Sequence, residues 1–228
     1  MPKQSKIAGL SVPKGRFYGP CSGRDLPLAF ELFGDVIDRF TFCDLAYQGP
    51  RVTAREAVPT EWRLVSRVQG IDEASGEKAA WYSGNRPFRP RVTIETWRRP
   101  DGSEAQVELR CDLAQDVLTA HFAPASIAAF MHINDGTGEG GSDLWFLASP
   151  NREGGEASRG QRLLPETLER LCHGAIVVTD GVLADDAFRS EMPFSIVGAR
   201  WELVSRLPNA RRQDRRIAVW RYLDMTIV

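Results

Sequence analysis

Five strand-like runs in this chain each carry an aspartate at or just past the C-terminal end, and no other feature constrains the fold as strongly. They are RFYGPCSGRD (Arg16 to Asp25), RFTFCD (Arg39 to Asp44), AQVELRCD (Ala105 to Asp112), SIAAFMHIND (Ser126 to Asp135) and GAIVVTDG (Gly174 to Gly181). Carboxylates gathered at strand ends suggest the ligand side of an open α/β sheet. IAAFMHI and AIVVT are continuously apolar, as central strands covered on both faces are. AQVELRC alternates instead, Ala105, Val107, Leu109 and Cys111 against Gln106, Glu108 and Arg110. That pattern predicts a half-exposed strand near an edge.

Helical signals lie between these runs. DLPLAFELFGDVID follows the first, with Asp25 placed to cap, Pro27 in the first turn, and Leu28, Leu32 and Val36 on one face. LPETLERLCHG precedes the fifth, with Leu164, Leu168 and Leu171 as its stripe and Gly174 as the C′ residue. DLAQDVLTAHF is a candidate short helix after the third. Alternation of this kind implies βαβ units.

Elsewhere the pattern is β. Pro100-Asp101-Gly102 separates two alternating runs and predicts a hairpin. A second hairpin is predicted around Asp72–Gly76 within EWRLVSRVQGIDEASGEKAAWYSG. The C-terminal FSIVGARWELVSRLPNARRQDRRIAVWRYLDMTIV reads as strand–turn–strand, an antiparallel pair. EWRLVSR and RWELVSR recur, but one short match is no repeat architecture.

The chain has 228 residues, 43% hydrophobic and 26% charged, with Lys+Arg 29 against Asp+Glu 30. It is long enough for a sizeable core and carries no global field that points to nucleic acid or an anionic membrane. One domain over 1–228 is expected, with a β-hairpin-rich insertion at 48–104. No run suits a signal peptide or a membrane span, so a cytoplasmic protein without membrane contact is expected. Cys21, Cys43, Cys111 and Cys172 form no CxxC pair and read as small hydrophobes. The three histidines match no metal-ligand spacing, and no metal is expected.

The stretch HINDGTGEGGSDLW, 132–145, is rich in glycine. It lacks the G-K-[ST] of a phosphate loop, and Asp135, Glu139 and Asp143 would repel a phosphate. It reads as the exit loop of a central strand, either a polar cleft wall or a turn whose acids cap and solvate. Asp25, Asp44 and Asp112 carry the same two readings, ligand contact or helix cap and turn acid.

This order resembles the class I S-adenosylmethionine-dependent methyltransferases, from about Arg16 to about Tyr222. The resemblance implies a Rossmann-like three-layer α/β sandwich with a mostly parallel sheet and a C-terminal antiparallel hairpin. The family's first motif, an acid followed by G-x-G-x-G, is degenerate here: YGPCSGRD stands in its place. By resemblance, Gly19, Ser22, Gly23 and Asp25 would lie at the cofactor loop. Asp44 would hold the ribose hydroxyls, and Asp112 would meet the adenine amine. Asn134 and Asp135 would face the methyl acceptor as the catalytic pair. S-adenosylmethionine is the implied cofactor, and a small nucleotide-type molecule the implied ligand. The alternative is a non-catalytic member that binds protein or nucleic acid. RLPNARRQDRR would then supply Arg206, Arg211, Arg212, Arg215 and Arg216 to phosphates, or it is a solvated hairpin tip. Arg86, Arg89 and Arg91 beside Trp81, Tyr82 and Phe88 could stack on a base or pack a hairpin.

Overall fold

The computed structural model describes residues 7, 10–72, 89–134, 166–180, 194–196, 199–211 and 216–225. The chain divides into two compact units, one of residues 1–9 and 14–122, the other of residues 10–13 and 123–228.

The first unit holds β1 (Arg16–Pro20), α1 (Leu26–Phe33), β2 (Arg39–Cys43), a 3-10 turn (Leu45–Gln48), β3 (Arg63–Ile71), β4 (Arg91–Arg98), β5 (Glu104–Cys111) and α2 (Ala114–His121). Its strand order is β3-β4-β5-β2-β1. β1, β2 and β5 are parallel, while β4 pairs antiparallel with both β3 and β5. The register places Phe17, Phe40, Phe42, Val107 and Leu109 on one face. α1 buries Leu26, Ala29, Phe30, Leu32 and Phe33. The Phe30 ring lies 4.8 Å from Phe40 and 5.6 Å from Phe42. Gly19 belongs to this packing, since a Cβ there would sit 2.9 Å from the Phe17 ring.

Arg99 ties the β4–β5 turn to the end of α1. Its guanidinium donates to Gly34 O at 2.8 Å, to Asp38 Oδ1 at 2.7 Å and to Ile37 O, and lies over the Trp62 ring. Two of these acceptors are backbone carbonyls of the segment that leaves α1, and the third is the Asp38 carboxylate. Gly102 takes φ +84, and Asp101 accepts from Ser103 N, so the Pro-Asp-Gly signal forms the predicted turn.

The second unit holds β6 (Ile127–His132), β7 (Leu171–Thr179), β8 (Phe194–Ile196), β9 (Ala199–Pro208) and β10 (Arg216–Met225), in the order β6-β7-β10-β9-β8. β6 and β7 are parallel; the remaining pairings are antiparallel. Phe130, Ile176, Val177, Val178, Trp201 and Trp220 are buried. β9 and β10 form the predicted C-terminal pair.

The expected three-layer Rossmann-like sandwich with a mostly parallel sheet is corrected by this architecture. The described residues are mostly β, and within the two units three strand pairings are parallel and five antiparallel. Among the described residues, helix is confined to α1 and α2, of eight residues each, the 3-10 turn and residues 166–170. With most of these strands paired antiparallel, the described helices are too few and too short to build two outer layers. Local expectations change too. β5 is internal, flanked by β4 and β2, rather than near an edge, and its Glu108 and Arg110 are buried as an ion pair. β3 pairs antiparallel with β4, while the hairpin expected around Asp72–Gly76 lies, past Asp72, outside the described residues. The helix expected up to Gly174 gives way to strand at Leu171, with Gly174 at φ +78 inside β7.

Phe40→Ala should lower stability by about 3–5 kcal/mol, since it leaves a cavity among Phe17, Phe30 and Phe42. Urea unfolding would show a lower midpoint with an unchanged slope.

Candidate functional site

The parallel strands of the first unit bring their C-terminal ends side by side, and three acids gather there. Pro20 ends β1, and the chain then turns through left-handed residues, Cys21 at φ +47 and Gly23 at φ +46. Such a φ is uncommon in a residue other than glycine. Asp44, at the end of β2, links this turn to its own 3-10 turn. Its Oδ2 accepts from Gly23 N at 2.7 Å, and its Oδ1 accepts from Ala46 N at 2.7 Å. Ser22 N donates to Cys43 O at 3.2 Å, and Asp25 N donates to Ser22 O at 2.7 Å. Tyr47 reaches back from the 3-10 turn. Its hydroxyl donates to Gly23 O at 2.9 Å, which leaves the Ser22 hydroxyl, 2.9 Å away, to donate to the phenol oxygen.

Asp112, at the end of β5, is buried. Its Oδ1 accepts from Leu113 N, and its carbonyl accepts from Cys43 Sγ at 3.0 Å. The thiols between the acids register the local negative field. Burial pushes Cys111 up to about 12, and Asp112 and Asp44 add to the effect. Burial raises Tyr47 as well; the Ser22 hydrogen bond opposes this, and Asp44 and Asp25 reinforce it.

Of the residues assigned to the cofactor loop, Ser22, Gly23, Asp25 and Asp44 therefore stand together, with Asp112 on the neighbouring strand. Asp44 takes a capping role toward the loop, and its two oxygens keep further lone pairs. Asp25 stands at the start of α1 without accepting a side-chain cap bond from it. Gly19 lies inside β1 against Phe17 and Phe42, so its missing Cβ serves packing.

Asn134 lies in the second unit. It follows β6 at φ +64, and its N–H is shared by Asp180 Oδ1 and Oδ2 at 3.0 and 3.1 Å. Asn209 Nδ2 bridges Asn134 Oδ1 and Asp180 Oδ2, both at 3.0 Å. Asp180 and Asn209 are buried, so the strand-end acid of β7 is more than a solvated turn. Asp135 lies outside the described residues, as do Arg212 and Arg215. Arg206, Arg211 and Arg216 are exposed.

Sequence reasoning missed a buried charge layer in the first unit. Arg110 Nε and Nη2 donate to Glu108 Oε2 at 3.0 and 2.9 Å, and Nη1 donates to Asp72 Oδ2 at 2.8 Å. Thr41 Oγ1 donates to Glu108 at 3.2 Å, and Arg16 lies 3.6 Å from it. His121 Nε2 sits 2.9 Å from Arg110 Nη1 and 3.3 Å from Asp72 Oδ1. Burial alone would raise the Asp72 carboxyl, but the His121 hydrogen bond and the Arg110 charge outweigh it and hold the group below its ordinary value. The signal for this layer was the pair of opposite charges at i, i+2 in VELRC, on one strand face.

All four cysteines are free thiols. Among the described residues no three His, Cys, Asp or Glu side chains are placed to hold a metal, and no helix is long and apolar enough to cross a membrane. No known protein-family model matches the chain, and no curated protein matches it.

Asp44→Ala should free the Gly23 amide, so hydrogen exchange there should accelerate while β2 amides stay protected. Global stability should fall by about 1–2 kcal/mol, as for a lost cap. Asp72 makes a separate contribution that depends on pH. A carboxyl held low in the folded state stabilises fully above its unfolded value, about 3.9. That stability is lost as pH falls through the folded value. Asp72→Asn should therefore reduce stability at neutral pH and flatten its decline in acid, as read by urea midpoints across pH 2–7.

Proposed function

We propose that the C-terminal ends of β1, β2 and β5 bind the nucleoside part of a small ligand, and that S-adenosylmethionine is this ligand. The chain is then a methyltransferase of unassigned acceptor. The observation that carries the reading is the 2.7 Å bond from Gly23 N to Asp44 Oδ2, which sets the β2 acid against the loop after β1. The lone pairs Asp44 keeps suit the two hydroxyls of a ribose, and Asp112 suits an amine donor. The field of Asp25, Asp44 and Asp112 favours a cationic sulfonium and disfavours a phosphate. When bound, S-adenosylmethionine supplies an activated methyl group. The protein's share is positioning and exclusion of water around it.

A second reading has its own support. Both Asp44 oxygens already accept backbone donors, so the loop is complete without a ligand. This favours a binding module without catalysis, its exposed Arg216 placed to meet an anionic partner.

Thermal unfolding with S-adenosylmethionine, S-adenosylhomocysteine and ATP tests the first reading. The first two should raise Tm progressively, by about 2.7 kcal/mol of stabilisation at a hundredfold excess over Kd. ATP should not, and Asp44→Ala should abolish the response. No shift for the parent chain at millimolar S-adenosylmethionine or S-adenosylhomocysteine would overturn the proposal and leave the second reading.

A further inference from the structure

β3 is the outermost strand of the first unit and the most exposed strand described. Among the described residues, 63–71 make no backbone hydrogen bond beyond their ladder to β4. An open edge of this length is a template for another strand, and proteins usually guard it with charged side chains. Here the guards are turned inward. Arg67 donates to Val52 O and lies 3.6 Å from the buried Glu95 carboxylate. Gln69 Nε2 donates to Pro50 O at 3.2 Å and to Thr93 Oγ1 at 3.1 Å. The apolar side chains stand free instead: Val65 is 46% exposed, Val68 62% and Ile71 77%.

The sequence of this edge is self-complementary. In an antiparallel pair of two copies centred on Val68, Arg67 faces Gln69 and Ser66 faces Gly70, and the regular register ends at Val65, where the ladder to β4 is bulged. No like charges are opposed within 66–70, and Val68 meets its own copy on the axis. Centring on Arg67 would oppose two arginines, which is unfavourable. The half-buried Val92 and Ile94 of β4 lie on the face of Val68 and widen the contact.

We infer that two copies of this chain associate through β3, antiparallel, about a two-fold axis at Val68. A closed two-fold uses the edge of both copies and leaves neither open at that strand. One strand pair is at the small end of specific interfaces, so the association is of micromolar strength or weaker.

Sedimentation velocity over a wide concentration range tests the inference. The parent should pass from monomer to dimer. Val68→Lys, which sets two ammonium groups on the axis, should remain monomeric with an unchanged circular dichroism spectrum. Val68→Cys should give a covalent dimer on mild oxidation, beyond the level the parent's own thiols give. Opposed antiparallel residues have Cα atoms about 4.5–5.5 Å apart, within disulfide reach. Gln69→Cys, which faces Arg67, should link far less. A parent that stays monomeric throughout would overturn the inference and leave the edge to an unlike strand. A dimer unaffected by Val68→Lys, with no link through Val68→Cys, would also overturn it.

Discussion

The first unit depends on a pair of opposite charges buried on its central strand. Glu108 and Arg110 sit on one face of β5, and neither could remain there alone. The cost of stripping water from two ions is repaid only when their geometry is good and their remaining donors and acceptors are filled. Each filling partner comes from a different element: Arg16 from β1, Thr41 from β2, His121 from the end of α2, and Asp72 from just beyond β3. The pair thus ties four segments together. On the opposite face the same strands rely on apolar packing, with Phe17, Phe40 and Phe42 against α1 and Val107 and Leu109 beside them. One sheet is held by directional bonds on one side and by close packing on the other.

Much of the strand content was legible because apolar runs and turn chemistry are local signals. β2 falls within one residue of its expected bounds, and Asp101-Gly102 makes the turn its composition implied. The misreadings share a cause. Alternation in AQVELRC says which side chains share a face but not whether that face meets water, and four distant partners buried it. β3 carried a clear strand pattern, yet nothing within it named β4 as its partner. The layered architecture failed because strand and helix signals were counted without regard to helix length. Among the described residues, α1 and α2, of eight residues each, do not cover a sheet in the way the family layout requires.

At the candidate site, position was readable and role was not. Acids at strand ends follow from the sequence, and Asp44 and Asp112 stand where expected. That Asp44 spends one lone pair on Gly23 and another on Ala46 depends on a loop bent through two left-handed residues. Cysteine gives no hint of that conformation at position 21. The Asn134–Asp180–Asn209 cluster was hidden for another reason. Its members are 75 residues apart at the extremes and meet only when β6, β7 and the β9–β10 pair are side by side.

The bonds to Asp44 also bear on rates. A loop that its own carboxylate holds closed has already lost the conformational freedom that a ligand would otherwise take from it. Encounter with a small molecule would then need no slow rearrangement of the 20–25 segment, and affinity would be decided by how fast the molecule leaves. The same rigidity narrows the choice of ligand. A molecule too large for the turn as it stands could enter only by displacing Asp44 from Gly23, exchanging that short bond for its own.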